Sequence, residues 1–283
     1  MTTQSQQGRT WLITGISSGF GKAFAQAALD AGASVIGTAR KQEQIDAFKA
    51  IAPGRSHAIK LDVTDADGVP NAIEQAIAIT GRIDVLVNNA GYALVGAVEE
   101  ADEAQFHRQI ETNLFGAWRV TRAVLPQMRK QHSGHILNIA SVAGRIGSPG
   151  LGCYAASKFA LEGLSEALSG EVAPLGIRVT IVEPGGFRTE FAGDSSAYSQ
   201  PAIDDYAATS GRMREMLGKF HNQQPGDPAR AAQVLVQLVE LPEPPLRLVL
   251  GSDVLPRVHQ KIDALKAELT RWEALTLSTD FAR

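Results

Sequence analysis

A phenol and an ammonium four residues apart, Tyr154 and Lys158 in "GCYAASKFA", are the first residues whose spacing suggests chemistry. On a helix, positions i and i+4 share one face. An ordinary tyrosine titrates near about 10, and a cation within reach favours phenolate by roughly 1–3 units. The pair therefore predicts a tyrosine that can give or take a proton near neutral pH. Upstream, Ser141 closes the apolar run "HILNIAS", and ligands of open parallel sheets bind at the carboxyl ends of strands. A second such end carries "NNAG", Asn88 to Gly91. Asn113, in "ETNLFG", sits mid-helix, where asparagine has poor propensity. Cys153, beside Tyr154, reads as a small pocket-wall residue rather than a nucleophile. No Cys/His cluster has metal-ligand spacing, so no metal is expected.

The glycine loop "TGISSGFGKAF", Thr14 to Phe24, poses a separate question. A nucleoside-triphosphate loop of the form G-x-x-x-x-G-K-[ST] does not fit. Gly15 and Gly21 enclose five residues rather than four, and Ala23 follows Lys22 where a hydroxyl is needed. The pattern G-x-G-x-x-G fails too, because the glycines stand at Gly15, Gly19 and Gly21. A tight turn without a ligand is the plain alternative. The context favours a ligand: the loop follows an apolar run and opens the helical segment "FGKAFAQAALDAG". Backbone N–H groups at a helix N-terminus attract an anion, with the helix dipole behind them. A dinucleotide pyrophosphate is expected rather than ATP with Mg²⁺.

The elements that must hold these residues are legible as apolar runs: "WLIT", "SVIGTA", "HAIKLDV", "IDVLVNNA", "HILNIAS", "RVTIVEPG" and "LRLVLG". Most are continuous, as in strands covered on both faces. Helical spacing separates them; Leu161, Leu164, Leu168 and Val172 recur at steps of three and four. The alternation predicts an α/β fold, a Rossmann-type doubly wound parallel sheet of about seven strands with helices on both faces. No linker divides the 283 residues, so one domain over 1–283 is expected. Two segments stand apart: a polar stretch at 193–228, read as a substrate lid, and a C-terminal amphipathic helix at 253–275. A net charge of −3 gives no electrostatic case for nucleic acid or an anionic membrane. A lone cysteine, no apolar run long enough for a membrane span and no leader pattern suggest the cytoplasm.

Taken together, T-G-x-x-x-G-x-G (Thr14 to Gly21), N-N-A-G (Asn88 to Gly91), Asn113, Ser141, Y-x-x-S-K (Tyr154 to Lys158) and "PGGFRT" (Pro184 to Thr189) resemble the short-chain dehydrogenases/reductases over residues from about 10 to 250. The stretches "LVNNAGYALVGAVEE" and "IVEPGGFRTEF" look like a bacterial branch related to retinol- and hydroxysteroid-type reductases. The resemblance implies a Ser/Tyr/Lys/Asn set. In it Tyr154 is the general acid or base, Ser141 holds the carbonyl oxygen, Lys158 holds the nicotinamide ribose and lowers the Tyr154 pKa, and Asn113 positions a water. It also implies cofactor contacts from Gly15, Ser17, Ser18, Gly19, Phe20, Gly21, Asp62, Val63, Asn89, Ala90, Gly91, Pro184, Gly185, Phe187 and Thr189. Asn88 is expected mainly to brace the sheet. Asp62 has an alternative reading as a helix N-terminal acid. A homo-oligomer, dimer or tetramer, is implied by the same likeness.

Cofactor choice is read from the end of the second strand, "VIGTARKQ". NAD sites place an acid there for the ribose 2′-hydroxyl. Ala39 stands at that place and Arg40 follows. A guanidinium suits a 2′-phosphate, so NADP(H) is expected over NAD(H). The substrate pocket is expected to use residues after Ser141 ("VAGRIGSPGLG"), Leu94, Val95 and the 193–228 segment, with Arg145 a possible charged member. That lining predicts a small, largely apolar ketone, aldehyde or alcohol. The alternative is a nucleotide-binding redox sensor that keeps the fold without turnover.

Overall fold

The first strand, β1 (Thr10–Thr14), shows why the apolar runs are continuous. Trp11 and Ile13 enter one buried apolar cluster and Leu12 enters another, on opposite faces of the sheet. The computed structural model describes residues 6–190, 196–219 and 222–281. Each of the apolar runs becomes a strand: β1, β2 (Ser34–Ala39), β3 (Ser56–Lys60), β4 (Val85–Asn88), β6 (Gly134–Ile139), β7 (Ile177–Pro184) and β9 (Arg247–Leu250). They form one seven-stranded sheet in the order β3-β2-β1-β4-β6-β7-β9, and every pairing is parallel. The expected Rossmann-type α/β fold is therefore the observed one. The order reverses between β1 and β4, which opens a crevice at their carboxyl ends.

Helices cover both faces. On one side α1 (Gly19–Asp30) packs on α8 (Pro228–Leu238), with Phe24, Ala28 and Leu29 meeting Ala231, Ala232 and Leu235 in the cluster that holds Trp11. On the other, α3 (Gly68–Thr80) and α5 (Ala117–Gln131) supply Val69, Ile73, Val120, Val124 and Met128 around Leu12, Leu86 and Ile136. The long α6 (Gly152–Val172) carries Tyr154 and Lys158 on its buried first turns. The helix α2 (Gln42–Lys49) follows β2.

Two features went unread in the sequence. A short parallel pair joins β5 (Ala93–Val95) to β8 (Ser196–Tyr198); three-residue strands leave too little pattern to recognise. The chain from α4 (Glu103–Ile110) to α5 passes through a π-helical turn, Glu111–Gly116, which contains Asn113. The 193–228 segment holds β8, a 3₁₀ turn at Asp204–Tyr206, a π turn at Ala207–Gly211 and α7 (Arg212–Lys219). Its residues 193–195 and 220–221 lie outside the described residues. The C-terminal helix, expected at 253–275, is α9 (Leu255–Leu277). Among the described residues, no helix is long and apolar enough to cross a membrane.

Candidate active site

The carboxyl ends of six strands bring the candidate residues to one side of the sheet. The glycine loop follows β1, Arg40 follows β2, and Asp62 and Val63 follow β3. Asn89 to Gly91 follow β4, Ser141 follows β6, and Pro184 to Thr189 end and follow β7.

In the glycine loop, Gly15 and Gly19 have φ of 71° and 51°, a backbone that side chains disfavour. Gly21 is there for another reason. A Cβ on it would lie 2.1 Å from the Gly15 carbonyl oxygen and 2.6 Å from Asn89 Nδ2. Any side chain would push α1 away from the β1 turn. Asn89 fastens that turn by donating from Nδ2 to the carbonyls of Thr14 and Gly15, at 2.9 and 3.0 Å. Thr14 completes the lock: its hydroxyl accepts from the N–H groups of Asn89 and Ala90 at 2.9 and 3.0 Å. Ser17 and Ser18 stay exposed at the start of α1. Phe20 stacks on Phe24, and its ring meets that of Phe187 at 4.9 Å, so the glycine loop and the loop after β7 touch. Thr189, buried, lies against Gly19.

Asn88 braces the sheet, as expected, donating to Thr121 Oγ1 and Asn138 Oδ1, both at 2.8 Å. Asp62 is exposed, and its Oδ1 accepts from the N–H and hydroxyl of Thr64. That closes a local turn, well short of the α3 N-terminus at Gly68. Val63 is buried in the core against Gly116. Arg40 is exposed and makes no hydrogen bond or ion pair among the described residues. Ala39 is 4% exposed within an apolar cluster.

At the centre, the Ser141 hydroxyl hydrogen-bonds the Tyr154 phenol. It also accepts from the Ala143 N–H at 3.1 Å, which fixes its place at the end of β6. Lys158 lies one turn along α6, with Nζ 5.8 Å from the centroid of the Tyr154 ring. Its ammonium donates to the Ile139 carbonyl at 2.7 Å. All three groups converge, but the electrostatics differ from the expectation. Burial pushes the Tyr154 phenol up to about 12, with the Ser141 hydrogen bond pulling the other way. Burial pushes Lys158 down to about 8. The Lys158 ammonium sits over the Tyr154 ring while donating to the Ile139 carbonyl.

Asn113 is 1% exposed. Its Nδ2 donates to the Tyr92 carbonyl and to Ser157 Oγ, both at 3.0 Å, and its Oδ1 accepts from the Tyr92 N–H at 3.1 Å. The side-chain amide is thus spent on holding the chain after "NNAG". A Cβ on Gly91 would lie 2.9 Å from Asn113 Oδ1 and 3.8 Å from Lys158 Nζ, so these groups share one wall. Two contributors were missed in the sequence. Ser157 donates to the Tyr154 carbonyl at 2.7 Å while accepting from Asn113. Gln109, fully buried, clasps the Tyr92 carbonyl and the Leu94 N–H at 2.7 and 2.6 Å. The available signal was their spacing: Gln109 stands four residues before Asn113 on one helical face.

An apolar cluster closes over Tyr154. Ala93, Val95 and Ala143 are buried with it, and Leu151, Tyr198, Met213 and Leu217 pack against them. The last three come from the 193–228 segment, which is tied down by a buried ion pair, Arg214 to Glu100 at 2.8 Å. Leu94 is buried on the other side of its strand. Arg145 does not join the pocket; it pairs with Glu183 at 2.5 Å beneath the loop. Burial raises the Cys153 pKa, which leaves a thiol rather than a thiolate.

Comparison with known proteins extends this geometry. The family model for the short chain dehydrogenase matches residues 9–199. An oxidoreductase of Botryotinia fuckeliana, BOA17, is 42% identical over 96% of this chain and 99% of its own length. The 3-ketodihydrosphingosine reductase of Bacteroides thetaiotaomicron is 40% identical over 85% of this chain and 87% of its own. A crystal structure of a short-chain dehydrogenase from Streptomyces avermitilis superposes with a TM-score of 0.90 at 45% identity, covering 96% of this chain and all of that one. With family model, whole-length relative and fold agreeing, the chain belongs to the short-chain dehydrogenases/reductases, oxidoreductases that use a nicotinamide cofactor.

Proposed function

We propose that the chain is an NADP(H)-dependent carbonyl reductase that interconverts an apolar ketone or aldehyde and its alcohol. The observation that carries this reading is the Ser141–Tyr154 hydrogen bond beside Lys158, under an apolar cluster. The residues present fit a dinucleotide. The bare backbone of Gly15 and Gly19, the exposed Ser17 and Ser18 and the N-terminus of α1 form a cradle for a pyrophosphate. Exposed Arg40 gives a free cation beside it for a 2′-phosphate. When bound, the nicotinamide would supply or accept the hydride.

The chain's own residues supply the proton and the positioning. Tyr154, held as a neutral phenol by burial, gives its proton to the carbonyl oxygen during reduction. Ser141 donates to that oxygen and stabilises the charge that develops on it. Lys158 reaches the ribose hydroxyls from the same helix and keeps an ammonium beside Tyr154 as the phenol loses its proton. Asn113 holds Tyr92, leaving water to be held by backbone groups of its π turn. The remaining proposed cofactor contacts are Phe20, Asp62, Asn89, Ala90, Pro184, Gly185, Phe187 and Thr189. We place all of 1–283 in one catalytic unit, with 193–228 as its lid and a small-molecule substrate beneath it, working in the cytoplasm.

The substrate class follows from Val95, Ala143, Leu151, Met213 and Leu217, which offer no charge to a ligand. The test is a panel of ketones, aldehydes and secondary alcohols followed by NADPH absorbance, on wild type and Tyr154→Phe. The variant is expected to lose ~10²–10⁴-fold in kcat/KM, the worth of a positioned general acid, with NADPH affinity kept. A variant that retains the wild-type rate overturns the assigned chemistry. NADPH binding by wild type with no turnover on any substrate favours the sensor.

A further inference from the structure

The helix α9 is 23 residues long, about 35 Å. Only Val258 of it is buried. A helix in a folded protein is ordinarily stabilised by packing an apolar face. Here that face is present and, apart from Val258, uncovered. Leu255, Val258, Ile262, Leu265, Leu269 and Trp272 recur at strict alternating steps of three and four, the a and d positions of a coiled-coil seam. Leu255, Ile262, Leu265, Leu269 and Trp272 are all exposed, Leu269 at 74%. None of them is used by the site described above.

The charges beside the seam name the occupant. In this frame Lys261 and Glu268 fall at g, and Lys266 and Glu273 at e. Two copies in parallel would set Lys261 against Lys266 and Glu268 against Glu273, like charge on like. Two copies antiparallel, with Ile262 of one opposite Leu265 of the other, set Lys261 against Glu268 at both ends. The same register puts Leu255 opposite Trp272 and sets Leu269 over Val258, the seam residue that its own chain already buries. The other flank sets His259 against Lys266 and adds no ion pair. A lipid surface fits less well. The helix carries four cations (Arg257, Lys261, Lys266, Arg271) against three anions (Asp263, Glu268, Glu273), without the strongly basic polar face of an interfacial helix.

We propose that α9 is an association helix, through which two copies of this chain pair antiparallel along the Leu255–Trp272 stripe. The pairing is independent of the reaction the site performs. The test is sedimentation velocity of the full chain over a concentration series, with circular dichroism melts as a folding check. Because α9 touches the rest of the chain mainly at Val258, its variants should melt as wild type does. Wild type is expected to associate, and Leu265→Glu/Leu269→Glu to lose one dimerisation step, with a dissociation constant roughly 100-fold or more higher. Lys261→Glu sets like charges opposite each other only in the antiparallel pair, so it should weaken association by a factor of about 3–10. Adding Glu268→Lys should restore it. The proposal is overturned if wild type stays monomeric, or if the leucine variant keeps the wild-type mass profile. It is equally overturned if Lys261→Glu tightens association, as a parallel pair requires. Wild-type flotation with anionic phosphatidylserine vesicles, lost in the leucine variant with no change in mass, would assign the stripe to lipid instead.

Discussion

At the scale of single residues, the groups proposed for catalysis and the one proposed for cofactor choice differ in burial. Ser141, Tyr154 and Lys158 are buried or nearly so and hydrogen-bonded in place, whereas Arg40 is exposed and unengaged among the described residues. The pyrophosphate cradle is common to NAD and NADP, so preference must come from the end of β2. Arg40→Ala is expected to lower kcat/KM with NADPH by roughly 10- to 150-fold, the range for a hydrogen bond to a charged group, and to leave the NADH value nearly unchanged. Steady-state kinetics with both cofactors decide it; an unchanged NADPH value would leave Arg40 a surface charge. Ala39→Asp is a poorer probe of the same choice. Ala39 lies within an apolar cluster, and a carboxylate there would be costly without a partner.

At the scale of elements, a charged group under the site joins four of them. Arg145, in the loop after Ser141, pairs with Glu183 near the end of β7. Arg247 on β9 pairs with Glu162 and Glu166 on α6, at 3.0 and 2.6 Å, and approaches Glu183 at 3.8 Å. Glu183 is fully buried and Glu162 nearly so. Burial, and then the charge of Glu183, pushes the Glu162 carboxyl up to about 7, against the pull of Arg247 and Arg145. A carboxyl raised in the folded state favours folding most where it is protonated. Its contribution is fully present below the unfolded value near 4.5 and is lost as pH rises through about 7. Arg247→Met removes the cation and leaves two close carboxyls, a change of about 3–5 kcal/mol for a buried pair, discounted here to about 2–3 because Arg247 is 26% exposed. Thermal melts should show a lower Tm and a steeper loss between pH 5 and ~8 than in wild type. A variant with the wild-type Tm and pH slope would show that the cluster stabilises nothing.

At the scale of the whole molecule, the 193–228 segment links the pocket to the β5 edge. Met213 and Leu217 of α7 pack over Tyr154. Glu100 receives Arg214 and the N–H groups of Ala97 and Ile203, and these contacts hold its carboxyl below the ordinary carboxylate range despite burial. Tyr206 donates to Glu99 at 2.6 Å. If this latch is what closes the pocket, Arg214→Ala should release it. Hydrogen exchange of residues 203–219 is expected to rise in the variant, and KM to increase more than kcat falls. Equal exchange in both proteins would mean that packing alone holds the segment.

What the sequence determined by itself follows from patterns that are local. Continuous apolar runs alternating with helical spacing were enough for a seven-stranded parallel sheet, because burial on both faces leaves no other composition for such strands. Glycine spacing and Y-x-x-x-K were enough to pick out the residues proposed for the site, since a turn and a helical face are short-range geometry. The tertiary structure alone decided three things. The Lys158 ammonium donates a hydrogen bond to the Ile139 carbonyl of β6, a contact that a four-residue spacing does not show. Arg145 turns to Glu183, thirty-eight residues away, rather than to the pocket. The β5–β8 pair and the Glu100–Arg214 bond place residues 196–219 through contacts about a hundred residues apart in the chain. Each is a polar or short-strand contact whose partner is chosen by the fold, and periodicity carries no record of that choice.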